Sequence, residues 1–136
     1  MKLIGFNFTK ISIEKKRKIS KDLKIDTSIN IDSIEEVKNE LLKSKDIFLN
    51  IKFNYKINYK PDISTIELVG NLAIALDSKL GKEILKDWKD KKIKDETRIT
   101  LFNVILRKSN VKALQLEEEM SLPLHFQLPS LKQNKK

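Results

Sequence analysis

The sequence predicts an α+β fold, a four-stranded antiparallel sheet followed by two C-terminal helices. Three observations predict it. Between Ile47 and Tyr59 every odd position is apolar or aromatic, and the even positions are Asn or Lys apart from Phe48. That alternation belongs to a strand with one buried and one wet face. After Pro61-Asp62, a turn pair, a second alternating run follows: Ile66, Leu68, Gly70, Leu72, Ile74 and Leu76. Beyond Asp77 the apolar residues recur at threes and fours, which is helical spacing.

The elements follow in order. Ile4, Phe6 and Phe8 alternate with Gly5, Asn7 and Thr9, and Ile11 and Ile13 continue in the other phase. One long strand with a bulge near Thr9–Lys10 accounts for the change of phase. A lysine-rich loop comes next. Ile25, Thr27, Ile29 and Ile31 alternate with Asp26, Ser28, Asn30 and Asp32, giving a second half-buried strand. Residues Ser33–Lys43 carry Ile34, Val37, Leu41 and Leu42 at mixed spacing, and strand or helical turn both fit. The runs at 47–59 and 66–76 form a long antiparallel hairpin. Val69, Ala73 and Ala75 on the outward side of the fourth strand suggest cover on both of its faces.

Asp77-Ser78 can cap a first helix carrying Leu80, Ile84, Leu85 and Trp88, closed by lysines near Lys91–Lys92. Asp95 can cap a second helix. There Ile99, Phe102, Ile105, Leu106, Ser109, Ala113, Leu116 and Met120 recur at helical spacing, with a possible kink at Ser109-Asn110. Leu101, Val104, Val111 and Leu114 widen its apolar stripe. Glu117, Glu118 and Glu119 oppose the macrodipole near its end and are expected to be solvated. The tail, with Pro123 and Pro129, is expected to be extended, along a sheet edge or across a groove.

Composition narrows the possible functions. The chain has 136 residues, enough for one core and too few for two. Residues 1–131 are expected to form a single α+β domain, and 132–136 a basic disordered C-terminus. Absence of cysteine excludes disulfides, thiolate ligands and a cysteine nucleophile. A single histidine, His125, excludes a multi-histidine metal site. Three glycines leave no glycine-rich phosphate loop. The opening residues lack the apolar core of a signal peptide, and no apolar run approaches a membrane span, so a cytoplasmic protein is expected. No catalytic residues, metal or cofactor are assigned. His125, in a proline-flanked tail, reads as a surface residue rather than a base.

The net charge of +9 points to an anionic partner such as nucleic acid or a membrane surface. Three basic clusters carry it: Lys15, Lys16, Arg17 and Lys18; Lys89, Lys91, Lys92 and Lys94; and Lys132, Lys135 and Lys136. Against this, only three of the 28 basic residues are arginine, the side chain suited to bidentate phosphate and base contacts. Abundant Lys, Ile and Asn together also match the codon bias of AT-rich genomes. Tyr55 and Tyr59 follow the buried parity. Trp88 reads first as a core anchor and second as a ligand platform. Phe48, which breaks the alternation, is expected on the wet face as a partner contact or a solitary exposed residue.

Val69-Gly70-Asn71-Leu72-Ala73-Ile74 is similar to the fourth strand of the SecB-type export chaperones. Leu101-Phe102 followed by Arg107 is similar to a Leu-Phe-Pro-Tyr-Ala-Arg stretch of that family, with Asn103-Val104 in place of Pro-Tyr. Leu122-Pro123-Leu124 resembles the family's exit from its last helix, and the order of elements resembles it over nearly the whole chain. The run Leu106–Leu114 is also similar to that of small archaeal proteins, a likeness that implies no activity. The SecB resemblance implies a non-enzymatic homo-oligomer with an apolar groove, between sheet and helices, for unfolded polypeptide. On that reading Phe48, Trp88, Leu124, Phe126 and Leu128 contact peptide or a second subunit. The alternative is a basic RNA- or ribosome-associated protein, binding through Lys15, Lys16, Arg17, Lys18, Lys91, Lys92 and Lys94.

Overall fold

A computed structural model of the protein describes residues 1–38 and 45–133. Four long strands, β1 (Lys2–Lys15), β2 (Lys24–Glu36), β3 (Ile47–Lys60) and β4 (Ser64–Leu76), precede α1 (Ser78–Trp88) and α2 (Asp95–Glu119). The sheet is antiparallel with strand order β1-β4-β3-β2. The two strands with the cleanest alternation therefore lie in the middle, and β1 and β2 are the edges.

The central hairpin pairs from Ile47↔Leu76 to Tyr59↔Ser64 without a break. Its odd β3 and even β4 side chains all point to one face, where both helices pack. Leu49, Ile51, Phe53, Tyr55, Ile57, Ile66, Leu68 and Leu72 are fully buried there. Ile84 of α1 and Leu101 and Ile105 of α2 join Leu49, Ile51 and Phe53 toward the α1 end of the sheet. Ala113, Leu116 and Leu122 join Tyr55, Tyr59 and Ile63 toward the β3–β4 turn. The Lys60–Pro61 peptide in that turn is cis.

Gly70 has a steric reason. A Cβ there would stand 2.5 Å from the Asn7 carbonyl oxygen and 2.7 Å from the Phe53 ring. Its absence lets Phe53 stack on Phe6, ring centroids 5.2 Å apart, with Phe8 edge-on to Phe6 at 5.1 Å.

The bulge expected near Thr9–Lys10 is present, with a register shift between Phe8 and Lys10. A second shift lies between Leu3 and Gly5, and a third in β2 between Ile31 and Ser33. Each adds one residue, so apolar positions on both sides of it stay on the buried face. Ser33–Glu36 continues β2, which decides the first part of the ambiguous stretch; residues 39–43 of it lie outside the described residues, as do 134–136 of the basic terminus.

Several expectations are corrected. The first helix ends at Trp88, before the lysines assigned to it, because Lys91 turns left-handed at φ 56°. Asp77 caps α1 as expected, accepting from Leu80 N at 2.8 Å. Asp95 does not cap α2; it is the first helical residue and accepts from Arg98 Nη2 at 2.8 Å. α2 runs through Ser109-Asn110 as one helix. The outer face of β4 carries no second layer among the described residues. Val69 and Ala73 are half-buried there by neighbouring strands.

Candidate functional site

Among the described residues, two places that gather polar or aromatic side chains from distant parts of the sequence also enclose a buried group or open a cleft. The first is enclosed. Glu117, in the last turn of α2, is completely buried. Tyr59 Oη donates to its Oε2, and His125 Nδ1 lies 2.8 Å from its Oε1. His125 Nε2 is 2.9 Å from Asn110 Oδ1, which also accepts from Tyr55 Oη at 2.6 Å. The side chains of His125 and Glu117 are 5% and 0% exposed. Two sequence expectations fail here: Glu117 is not solvated, and His125 is not a surface residue. Glu117 follows Leu116 on the sheet-facing side of the helix, where the phenol ends of β3 need acceptors. Burial, then the Glu117 carboxylate, pushes the Tyr55 phenol well above its usual range; for Tyr59, burial and then the hydrogen bond to Glu117 do so.

A histidine paired to a carboxylate has the geometry of a general base held by an orienting group. Its other nitrogen, however, faces Asn110 and Tyr55, and the cluster is largely buried. These groups spend their hydrogen bonds on one another. The cluster fastens the tail: it fixes residues 122–125 against β3 and the end of α2, and Phe126 packs edge-on to His125 at 4.7 Å. Phe126 itself, Leu128 and Leu131 remain exposed.

The second place is open. A cleft of about 620 Å³ lies between the edge strand β2 and the helices, lined by Asn30, Ile31, Asp32, Trp88, Lys91, Lys92, Ile93, Arg98 and Phe102. Its floor is apolar: Ile31, Trp88, Ile93 and Phe102 are partly buried against the core. Its rim on the helix side is basic. Lys91 Nζ stands 4.6 Å from the centre of the Trp88 ring, a cation–π contact. Because β2 is an edge, one row of its backbone donors and acceptors has no partner strand among the described residues.

Among the residues singled out from sequence, the structure brings Trp88, Lys91 and Lys92 together, although they came from opposing functional readings. It disperses the rest. Phe48 lies on the opposite face of the sheet, half-buried and paired with Ala75. Leu124 lies in the fastened segment, and Phe126 and Leu128 follow it, exposed. Lys94 pairs with Glu83 outside the cleft. Lys15 hydrogen-bonds the Met120 and Ser121 carbonyls at 3.3 and 3.4 Å, and Lys16 faces Asp62 at 3.7 Å. The loop carrying Lys16, Arg17 and Lys18 crosses the end of the sheet where β2 begins. At a strand's rise per residue, the cleft lies about 20 Å further along β2. Ile31, Ile93, Arg98 and Phe102 were missed as cleft residues. Each reads locally as core or surface, and only the position of β2 at the edge opens a space between them.

No family model matches the sequence, and no curated protein matches it either. Solved structures do match the fold. One is a SecB-like chaperone of Mycobacterium tuberculosis, Rv1957, solved in complex with a ChAD peptide from the Rv1956 HigA1 antitoxin. The match has a TM-score of 0.51 and 11% sequence identity, and covers 98% of this chain and 92% of that one. The four-strand, two-helix arrangement is thus shared with a SecB-like chaperone. At this identity the likeness concerns the fold.

Proposed function

We propose that this is a non-enzymatic binding protein, a SecB-like chaperone or protein-interaction module, that holds extended apolar polypeptide. The observation that carries the reading is the cleft beside β2. It pairs an aromatic and aliphatic floor with an unpaired strand edge, so side chains and backbone of an extended segment both find partners. The peptide complex formed by the structurally similar mycobacterial chaperone supports it. Leu3, Ile4 and Ile11 are 42%, 52% and 46% exposed on the other edge strand, β1, which favours a homo-oligomer.

Trp88 is the only tryptophan, so its fluorescence reports on the cleft directly. Added reduced, unfolded protein should shift Trp88 emission, and the protein should suppress that client's aggregation. Phe102→Ala should weaken both effects while far-UV circular dichroism stays the same. Unchanged emission together with undiminished client aggregation would remove the reading.

One observation favours a second reading. Lys91, Lys92 and Arg98 line the same cleft as the Trp88 ring, as a stacked base and its phosphates would require. Binding of that kind weakens steeply with salt. Failure of an RNA oligomer to bind at low salt would dispose of it.

A further inference from the structure

The cleft is not electrically neutral, and its asymmetry says more about the segment it takes. On the helix side stand Lys91, Lys92 and Arg98, all exposed. On the strand side stands one acid, Asp32, at the β2 bulge, beside Asn30. Arg98 is partly answered by Asp95. Lys91 is held in an unusual way. It occupies a left-handed backbone conformation, φ 56°, at the turn that ends α1, where its N–H bonds the Trp88 carbonyl at 2.8 Å. Glycine is the residue that such a position favours, because any Cβ there crowds the backbone. A lysine accepts that strain here while its ammonium lies against the Trp88 ring, at the mouth of the apolar floor. Backbone strain of this sort concentrates at binding sites, where the side chain has a use.

We propose that the cleft selects an extended segment in which a bulky apolar residue is flanked by aspartate or glutamate. The apolar side chain sits on Trp88, Ile93 and Phe102. The flanking carboxylates face Lys91, Lys92 and Arg98, and Asp32 turns the same carboxylates away from the strand side, fixing the orientation. The inference rests on the polypeptide-binding reading above and adds a charge preference to it.

The test uses the full-length protein and three short unstructured peptides with the same central phenylalanine, flanked by Glu, by Gln or by Lys. Binding is followed by Trp88 fluorescence. The Glu peptide is expected to bind about fivefold or more tightly than the Gln peptide at low salt, with the Lys peptide weakest, and the gap should narrow as salt screens the rim. Lys91→Gly removes the ammonium while giving the left-handed position the residue it favours, so weaker binding in this variant does not come from lost folding. It should bring the Glu peptide close to the Gln peptide, and Lys92→Ser should act in the same direction. Equal affinity for the Glu and Gln peptides, or a preference unchanged in Lys91→Gly, overturns the charge preference and leaves the polypeptide reading standing. If none of the three peptides alters Trp88 emission, the polypeptide reading falls as well. An RNA oligomer that alters the emission where the Glu peptide does not, or emission that changes only with the protein's own concentration, assigns the cleft to another occupant and overturns the proposal.

Discussion

Glu117→Ala is the perturbation that bears most directly on how the tail is held. The carboxylate accepts from Tyr59 on one oxygen and faces His125 on the other. Removing it leaves the Tyr59 hydroxyl and one imidazole nitrogen without partners, in a largely buried site. Each orphaned buried group costs about 1–3 kcal/mol, and loss of the desolvated carboxylate returns part of that. The net expectation is a loss of about 2–4 kcal/mol. Glu117→Gln should lose less. Its amide oxygen can still accept from Tyr59, while its amino group faces His125 and requires the ring to change tautomer. Tyr59→Phe removes the donor and leaves the His125 contact in place, and its cost should not add to that of Glu117→Ala, because both act on one bond. Urea unfolding followed by Trp88 fluorescence gives these free energies. Hydrogen exchange at Leu122, whose N–H donates to the Glu117 carbonyl at 2.9 Å, reports the tail separately, and protection there should fall in Glu117→Ala before the sheet is affected. A Glu117→Ala protein within about 0.5 kcal/mol of the parent, with its Leu122 amide still protected, would refute the claim that this cluster fastens the C-terminal segment.

Two further outcomes follow from the packing and the phenols. Gly70→Ala places a methyl group against the Asn7 carbonyl and the Phe53 ring, so β1 must shift or the aromatic trio must repack. The expected cost is about 1–3 kcal/mol in a urea melt, and a neutral effect would mean that the β1–β4 contact is looser than described. Tyr55 and Tyr59 keep their phenolic protons in the fold above the pH, about 10, at which the unfolded chain gives them up. The unfolded state then binds fewer protons than the native state, so stability is fully present below pH ~10 and falls as pH rises toward the raised folded values. The slope is up to about 1.4 kcal/mol per pH unit for each phenol. Unfolding measured between neutral pH and pH ~11 should show this decline, and it should be shallower in Tyr59→Phe.

The elements were legible in the residues themselves. A strict period of two from Ile47 to Tyr59 leaves no other way to bury one set of side chains and wet the other. The change of period after Asp77 marks the helices by the same logic, and the bulge at Thr9 showed as a slip in the alternation. These signals are local: each depends only on how backbone geometry spaces side chains along one segment. Helix ends were less legible. Nothing in the order Lys89-Asp90-Lys91-Lys92 announces a left-handed lysine, because that conformation is held by what surrounds it.

The functional geometry depended on tertiary placement. Glu117 sits between Leu116, which reads as core, and Glu118, which reads as surface, and a run of three glutamates gives no sign that one points inward. Its burial follows from the rotation of α2 over β3, which sets Tyr59 and His125 around it. Trp88 reads equally as core or as platform, because periodicity shows which face of a helix is apolar and not whether the neighbouring strand covers that face. The strand order β1-β4-β3-β2 decided that. It put β2 at an edge, left the ring half-covered, and brought Lys91, Lys92 and Arg98 to its rim. Secondary structure was thus determined by the sequence through short-range periodicity. The cleft and the fastened tail were decided only by the pairing of segments far apart in the chain, which local spacing does not encode.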